Sequence, residues 1–146
     1  MKIALGSDHA GYELKAEVNA YLVEKGYSVL DLGCHGPESV DYPDYGRDVA
    51  LKVASAEADL GIVICGTGIG ISLAANKVKG IRAALCHNGF TAKMARMHND
   101  ANILAMGARV IGGGVALEMV ELFISTAFEG GRHKRRVDKI MKLEEA

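Results

Sequence analysis

One short stretch of the sequence combines a thiol with a glycine-rich loop. Cys65 ends an apolar run at 60–64, and three alternate glycines follow it, Gly66, Gly68 and Gly70. The apolar run is rich in β-branched residues and predicts a buried strand, and the residues from 68 onward predict a helix. Glycines in such a turn serve a tight corner, or they let backbone N–H groups approach a negatively charged or developing-negative oxygen.

Cys65 allows two interpretations. A cysteine at the end of a buried strand is most often a small hydrophobic residue. A thiol beside a helix N-terminus, in contrast, has its thiolate stabilised, and a thiolate can act as a nucleophile or a general base. A base next to oxyanion donors is what proton abstraction beside a carbonyl requires, and the hydroxyl of Thr67 adds a further hydrogen bond there.

The spacing of the glycines argues against two common nucleotide sites. It is GxGxG rather than GxGxxG, and the next predicted strand ends at Cys86 without an acidic residue for a ribose. No GK[ST] follows the loop, so it is not a Walker A loop.

Five further positions carry polar side chains that suit a site. Asp8 and His9 follow the first predicted strand, where Asp8 also suits a helix cap. Tyr42 lies in a predicted polar loop at 33–43, where it lines a pocket or covers the core. His98 and Asn99 end a predicted helix, where a histidine also complements the helix dipole.

Basic residues are concentrated near the C-terminus. Arg132 and Arg136 are spaced i, i+4, so they share one helix face and are able to bind a phosphate together. Arg109, after the fifth predicted strand, is a further candidate. The remainder of the chain is acidic enough to offset this run, which argues against nucleic acid as a partner.

The pairs Cys34–His35 and Cys86–His87 do not predict a metal site. Adjacent side chains point apart, and no third ligand follows at a recognised spacing. The three cysteines show no CxxC pair and indicate reduced thiols.

Composition excludes several classes of protein. The 146 residues are 49% apolar and 24% charged, with a formal net charge of −1, which predicts one globular domain over 1–146 without a general affinity for nucleic acid or anionic membranes. No apolar run is long enough for a membrane helix, and the N-terminus enters a strand without a signal peptide, so we expect a cytoplasmic protein.

Strand-like and helical stretches alternate along the chain. The pattern predicts an α/β fold, a three-layer α/β/α sandwich around a five-stranded parallel Rossmann-like sheet with a C-terminal helical tail. Ligands of such sheets bind beyond the carboxyl ends of the strands, where Asp8 and Cys65 fall. The predicted strands are 3–5, 27–32, 60–65, 81–86 and 102–106, and the predicted helices are 9–25, 44–58, from 68 onward, 88–97, 115–128 and 132–145.

Five motifs together resemble ribose-5-phosphate isomerase of type B, in the family shared with galactose-6-phosphate and allose-6-phosphate isomerases. They span nearly the whole chain in order. The motifs are GSDHAG at 6–11, VDYPDYG at 40–46, ICGTGIGISLAANKVKGIRAALC at 64–86, RMHNDANILAMGARV at 96–110 and EGGRHKRRV at 129–137.

The resemblance implies a role for each matching residue. Cys65 resembles the base that moves a proton between C1 and C2 of the sugar, and Thr67 assists the loop amides that bind the enediolate. His98 resembles the acid that opens the furanose ring, with Asp8 close by. The substrate-binding residues implied are His9, Tyr42, Gly66, Gly68, Ile69, Gly70, Asn99, Arg109, Arg132 and Arg136.

The resemblance also implies a homodimer with shared active sites, extended in some cases to a dimer of dimers, with the tail 129–146 reaching the partner. One branch of the family replaces the cysteine by a glutamate just after the third glycine. That position is Ile71 here, which leaves Cys65 as the base. The expected reaction is metal-free and cofactor-free isomerisation of ribose 5-phosphate to ribulose 5-phosphate. The alternatives are allose 6-phosphate or galactose 6-phosphate as substrate, or a domain that binds a sugar phosphate without catalysis.

Overall fold

The computed structural model describes residues 1–146, in which strands and helices alternate. The strands are β1 (Lys2–Ser7), β2 (Ser28–Asp31), β3 (Leu60–Cys65), β4 (Ala83–Leu85) and β5 (Ile103–Gly107). The helices are α1 (Tyr12–Glu24), α2 (Tyr42–Ala54), α3 (Ile69–Ala75), α4 (Gly89–Asn99), α5 (Gly113–Ser125) and α6 (Arg132–Lys142), followed by a short 3₁₀ helix at Leu143–Glu145.

All five strands are parallel and form one sheet in the order β2-β1-β3-β5-β4. The chain therefore leaves β1 toward one edge of the sheet and continues from β3 toward the other. Such a reversal of strand order opens a crevice at the carboxyl ends of the two central strands, which here are β1 and β3. The predicted parallel sheet is confirmed, while the exchange of β4 and β5 was not visible in the sequence.

Helices cover both faces of the sheet, which confirms the predicted three layers. On one face α1, α4 and α5 bury a cluster centred on Phe123 and Met119, and on the other α2 and α3 bury a smaller cluster that includes Val49 and Ile71. The central strands are apolar on both faces because both are covered. No helix combines the length and the apolar character needed to cross a bilayer.

The predicted boundary of α2 was wrong at both ends. The helix begins at Tyr42 after the extended residue Asp41, with Pro43 in its first turn, where a missing N–H costs nothing. The sequence had suggested Asp44 as the cap because Pro43 resembled a loop residue. The helix ends at Ala54, since Ala56 has a positive φ of 63°.

Two other helices also differ from the prediction at their ends. The first helix begins at Tyr12 rather than near His9, because the carbonyl oxygen and carboxylate of Asp8 both accept the Gly11 N–H and close a separate turn. The fifth helix ends at Ser125, because Thr126 is already extended. The strands lie within two residues of their predicted bounds.

A buried ion pair ties α1 to the end of β2. Lys15 Nζ donates to both carboxylate oxygens of Asp31 at 2.7 and 2.8 Å, and only 3% of the lysine side chain is exposed. Asp31 also accepts the Gly33 N–H at 3.0 Å. The pair thereby fixes the loop that runs beside the end of β1.

We expect Asp31→Asn to lower the free energy of unfolding by about 2–3 kcal/mol, because it leaves the Lys15 ammonium buried without a counter-charge. Chemical denaturation monitored by circular dichroism measures this loss. Asp138→Asn is the matched control, since its ion pair with Lys134 is exposed and is expected to contribute little. Equal losses in the two variants would contradict the importance of burial.

Candidate active site

A cleft of about 420 Å³ lies at the carboxyl ends of β1 and β3. It stands at the point where the strand order reverses, the position expected for a ligand in an open parallel sheet. Seven of its lining residues were predicted from the sequence. The lining residues are Asp8, Tyr42, Cys65, Gly66, Thr67, Ile69, Gly70 and Leu73.

The sulfur of Cys65 accepts a hydrogen bond from the backbone of the glycine loop. The Gly68 N–H lies 3.1 Å from Sγ, and only 4% of Cys65 is exposed. The sulfur of Cys65 thus has a backbone donor aimed at it. Cys86 has no such donor: its Sγ faces the carbonyl oxygen of Ala84 at 3.7 Å, and burial raises the pKa of its thiol.

Gly68 takes a conformation that favours glycine, with φ of +80°. This left-handed residue turns the chain from β3 into α3 and aims its own N–H at the sulfur. A methyl group at Gly68 would stand 2.5 Å from Leu85 Cδ1 and 2.7 Å from the carbonyl carbon of Met106. The loop is therefore closed to any side chain at this position.

Three backbone amides of the glycine loop donate no hydrogen bond within the chain. The first turn of a helix leaves its N–H groups without intrahelical partners. Here the Ile69 N–H is satisfied by Thr67 Oγ1 at 3.1 Å, and the Gly68 N–H by Cys65. The free amides, which line the cleft and suit an oxyanion, are those of Gly66, Thr67 and Gly70.

The end of β5 holds the glycine loop in place. The Ala108 N–H donates to the Cys65 carbonyl at 2.9 Å, and the Arg109 N–H donates to the Gly66 carbonyl at 3.0 Å. A methyl group at Gly107 would meet the Thr67 backbone at 2.5 Å, so the two segments pack backbone against backbone. The loop is fixed at both ends, which pre-organises its free amides.

Two segments that carry groups suited to a phosphate, those of His9 and Arg109, border Gly66. The Val40 N–H donates to His9 Nδ1 at 3.1 Å, which leaves the hydrogen of the neutral ring on Nε2 as a donor. A methyl group at Gly66 would lie 3.3 Å from Arg109 Nη1 and 3.7 Å from Ala10 Cβ, so both segments border the loop. The guanidinium of Arg109 has no carboxylate partner in the chain.

Asp8 and Tyr42 complete the cleft from two sides. Asp8 is 6% exposed, and its Oδ1 accepts the Gly11 N–H at 3.1 Å. The carboxylate therefore closes the turn before α1 and also lines the cleft. It does not cap α1 as the sequence suggested, because the N-cap of that helix is Gly11, without a side-chain hydrogen bond. The ring of Tyr42 packs over Gly70, where any larger side chain would clash with it.

Four predicted site residues lie elsewhere in the chain. A helix that follows a parallel strand runs back along the sheet, so the end of α4 lies near the start of β5. Cys65 pairs with Gly107 at the other end of β5. The five residues of this strand separate its two ends by about 13 Å. The group at the amino edge of the sheet consists of His98, Asn99, Arg132 and Arg136.

Two residues beside His98 were missed from the sequence. The ring of His133 stacks on that of His98 with centroids 4.2 Å apart and 9° between the planes, and Glu129 Oε2 lies 3.9 Å from His98 Nε2. Both residues stand in the motif EGGRHKRRV, and this motif was the sequence signal that pointed to them. Ligand atoms of these three residues lie within 4.8 Å of one another, but stacked rings direct their lone pairs along parallel planes, which do not converge on one metal ion.

Fold and cleft together define a doubly wound α/β protein that holds a thiol beside donors for a negative oxygen. A family model described as Ribose/Galactose Isomerase matches residues 3–140. The chain therefore belongs to the ribose/galactose isomerase family.

Similar proteins share nearly the full length of the chain. Ribose-5-phosphate isomerase B of Escherichia coli is 50% identical over 144 residues, which cover 99% of this chain and 97% of that protein. The solved structure of Clostridium thermocellum ribose-5-phosphate isomerase B has a TM-score of 0.98 at 59% identity and covers 99% and 98% of the two chains. The Mycoplasma genitalium ribose-5-phosphate isomerase B, solved with bound ribulose-5-phosphate, has a TM-score of 0.95 at 44% identity and covers 99% and 96%.

We expect Gly68→Ala to destabilise the protein far more than Gly26→Ala. Both glycines have a positive φ, +80° and +89°, so both substitutions carry the backbone strain of about 1–2 kcal/mol. Only Gly68 also lacks room for a methyl group, since nothing lies within 4 Å of that position at Gly26. Thermal unfolding of the two variants measures the difference, and equal shifts in Tm would contradict the tight packing of the loop.

Proposed function

We propose that this chain interconverts ribose 5-phosphate and ribulose 5-phosphate through a cis-enediolate, with the thiolate of Cys65 as the base. The observation that carries the proposal is the Gly68 N–H donated to Cys65 Sγ, at the same cleft as three free amides of the glycine loop. Family membership and the names of the relatives support the same reaction.

The proton transfer uses the sulfur and the loop together. Cys65 removes the proton from C2 of the open aldose and returns it to C1, while the C1 carbonyl oxygen becomes the enediolate oxygen. The proton of the C2 hydroxyl passes to this C1 oxygen, so that C2 becomes the carbonyl of the ketose. The free amides bind that oxygen, and the Thr67 hydroxyl, whose oxygen already accepts from Ile69, keeps its proton for donation to the sugar. A positioned base contributes typically about 10²–10⁴-fold, and each oxyanion donor about 3–4 kcal/mol. The amides take the developing charge, so no step of this scheme calls for a metal.

The phosphate is bound beside the loop and does not react. His9 Nε2 and the guanidinium of Arg109 supply donors from the same chain as Cys65. The phosphate of the substrate carries two negative charges. Arg132 and Arg136 are also suited to bind it, since both are exposed and have no carboxylate partner in the chain. Binding of this remote group holds the linear sugar in reacting geometry.

The site is shared between two copies of the chain in this proposal. His98, Asn99, Arg132 and Arg136 lie at the amino edge of the sheet and do not reach the Cys65 cleft of their own chain. A second copy supplies them in a two-fold dimer, which brings the tail 129–146 to the partner. His98 then protonates the ring oxygen of the furanose, with Asp8 close by, and Asn99 contacts the sugar.

The exposed apolar residues around the cleft support this association. Ile69 and Leu73, on the outer face of α3, are 52% and 61% exposed at the rim of the cleft. A second copy placed to bring His98 to the sugar covers this rim. The three free cysteines fit a reducing compartment, so we assign the enzyme to the cytoplasm.

Cys65→Ala is expected to reduce turnover of ribose 5-phosphate by at least about a thousandfold while substrate affinity changes little, because the base is lost and the phosphate ligands remain. A coupled assay for ribulose 5-phosphate measures turnover, and calorimetry measures binding. Cys86→Ala is the control, since that thiol is buried away from the cleft and is expected to leave turnover unchanged. Undiminished turnover in Cys65→Ala would refute the base.

Mixing Cys65→Ala with His98→Gln is expected to restore activity that neither variant has alone. Random exchange of subunits makes half of the dimers mixed, and each mixed dimer holds one intact site, so about a quarter of all sites recover. The control mixture is Cys65→Ala with Asp8→Asn, which both belong to the carboxyl edge and leave no intact site. Native mass spectrometry verifies that the subunits have exchanged. If the first mixture is still inactive after that exchange, the proposal of shared sites is wrong.

A further inference from the structure

We propose that Glu129 and His133 are positioning residues that hold the imidazole of His98 for opening the sugar ring. This inference rests on the proposed function, in which His98 protonates the ring oxygen. It concerns two residues to which the proposed reaction gives no role of their own.

The segment before α6 is built to bring these two residues to the end of α4. The Glu129 N–H donates to the Met97 carbonyl at 3.0 Å, which anchors the segment next to His98. Gly130 and Gly131 both have positive φ, of +71° and +58°, and turn the chain sharply into α6. The His133 N–H closes this turn on the Gly130 carbonyl at 3.1 Å. The double glycine therefore sets the face that α6 presents to α4.

His133 is the buried member of the stacked pair. It is 6% exposed, and its Nε2 has no hydrogen-bond partner, whereas 39% of the His98 side chain is exposed. A buried polar atom without a hydrogen-bond partner costs free energy, and the stacked arrangement keeps His133 Nε2 buried despite that cost. Parallel rings with centroids 4.2 Å apart restrict the rotation of His98 to one plane.

The two rings of the pair differ in burial and in charged neighbours. Burial, and then the neighbouring His98 and Arg132, lower the pKa of His133; Arg136 acts in the same direction and Glu129 in the opposite one. The carboxylate of Glu129 lies 3.9 Å from His98 Nε2, within ion-pair distance of that ring when it is protonated. The buried His133 is thus suited to a neutral stacking role, and His98 is the more exposed ring, open to the furanose oxygen.

The chemistry of the two sugars separates ring opening from proton transfer. Ribose 5-phosphate is mainly a furanose, so its conversion needs both steps. Ribulose 5-phosphate cannot form a five-membered ring, because its O5 carries the phosphate and O4 is too close to the C2 carbonyl. Exchange of its C1 proton with solvent deuterium therefore reports Cys65 and the glycine loop alone.

The experiment compares these two rates in the full-length enzyme for Glu129→Gln and His133→Ala. We expect conversion of ribose 5-phosphate to fall about fivefold to tenfold, the size of an ion-pair or aromatic-pair contribution, with C1 exchange unchanged. His133→Phe keeps a stacked ring and is expected to stay within about twofold of the wild type. Asp138→Asn, a carboxylate on the outer face of α6, is the control for charge.

Each other outcome overturns the inference. Equal loss of conversion and exchange would mean that the variants damage the whole site, and no loss of conversion would mean that the two residues do not act on ring opening. A His133→Phe variant as impaired as His133→Ala would exclude the stacking role. A wild-type enzyme with neither activity would refute the proposed function itself, and this result is distinguishable because it appears before any variant is made.

Discussion

The hydrogen bond from the Gly68 amide to the Cys65 sulfur depends on one left-handed residue, and the cleft is organised around it. The positive φ of Gly68 lets β3 pass directly into α3, which brings the first amides of the helix beside the thiol. Gly107 has no side chain, so β5 packs against the backbone of Thr67 and fixes the loop from behind. The sulfur proposed as the base and the amides proposed to bind the enediolate are thus held by backbone atoms, which need little reorganisation when charge develops.

The topology of a parallel sheet explains why one chain does not complete the site. Segments that follow strands lie at the carboxyl edge, and segments that follow helices lie at the amino edge. Cys65 belongs to the first group and His98 to the second, with β5 between them. In the proposed dimer this arrangement links activity to association, because a separated subunit holds the base without the ring-opening acid. The fraction of complete sites then rises with protein concentration, as the dimer forms.

Local sequence patterns predicted those structural features that depend on residues close together in the chain. The loop that brings Gly68 to Cys65 joins residues three apart, and the alternation of strands and helices predicted the three layers. The exchange of β4 and β5 depends on pairing between distant segments and left no local signal. The same holds for the Val40 N–H that orients His9 across 31 residues and for the stack of His98 on His133. Pro43 misled the prediction of α2 because proline suits both a loop and a first helical turn.

The last helix, α6, carries residues for two separate parts of the proposed reaction, phosphate binding and ring opening. Its exposed face carries Arg132 and Arg136, which lack carboxylate partners, whereas the nearby Lys134 is neutralised by Asp138. Its buried face carries His133, which stacks on His98. In the proposed function, a phosphate bound by the two arginines also fixes the neighbour of the ring-opening acid, because all of these residues except His98 lie on the same helix α6. Binding energy from a group that never reacts is then used to hold a reacting group in place, which is how a remote phosphate contributes to turnover rather than to affinity alone.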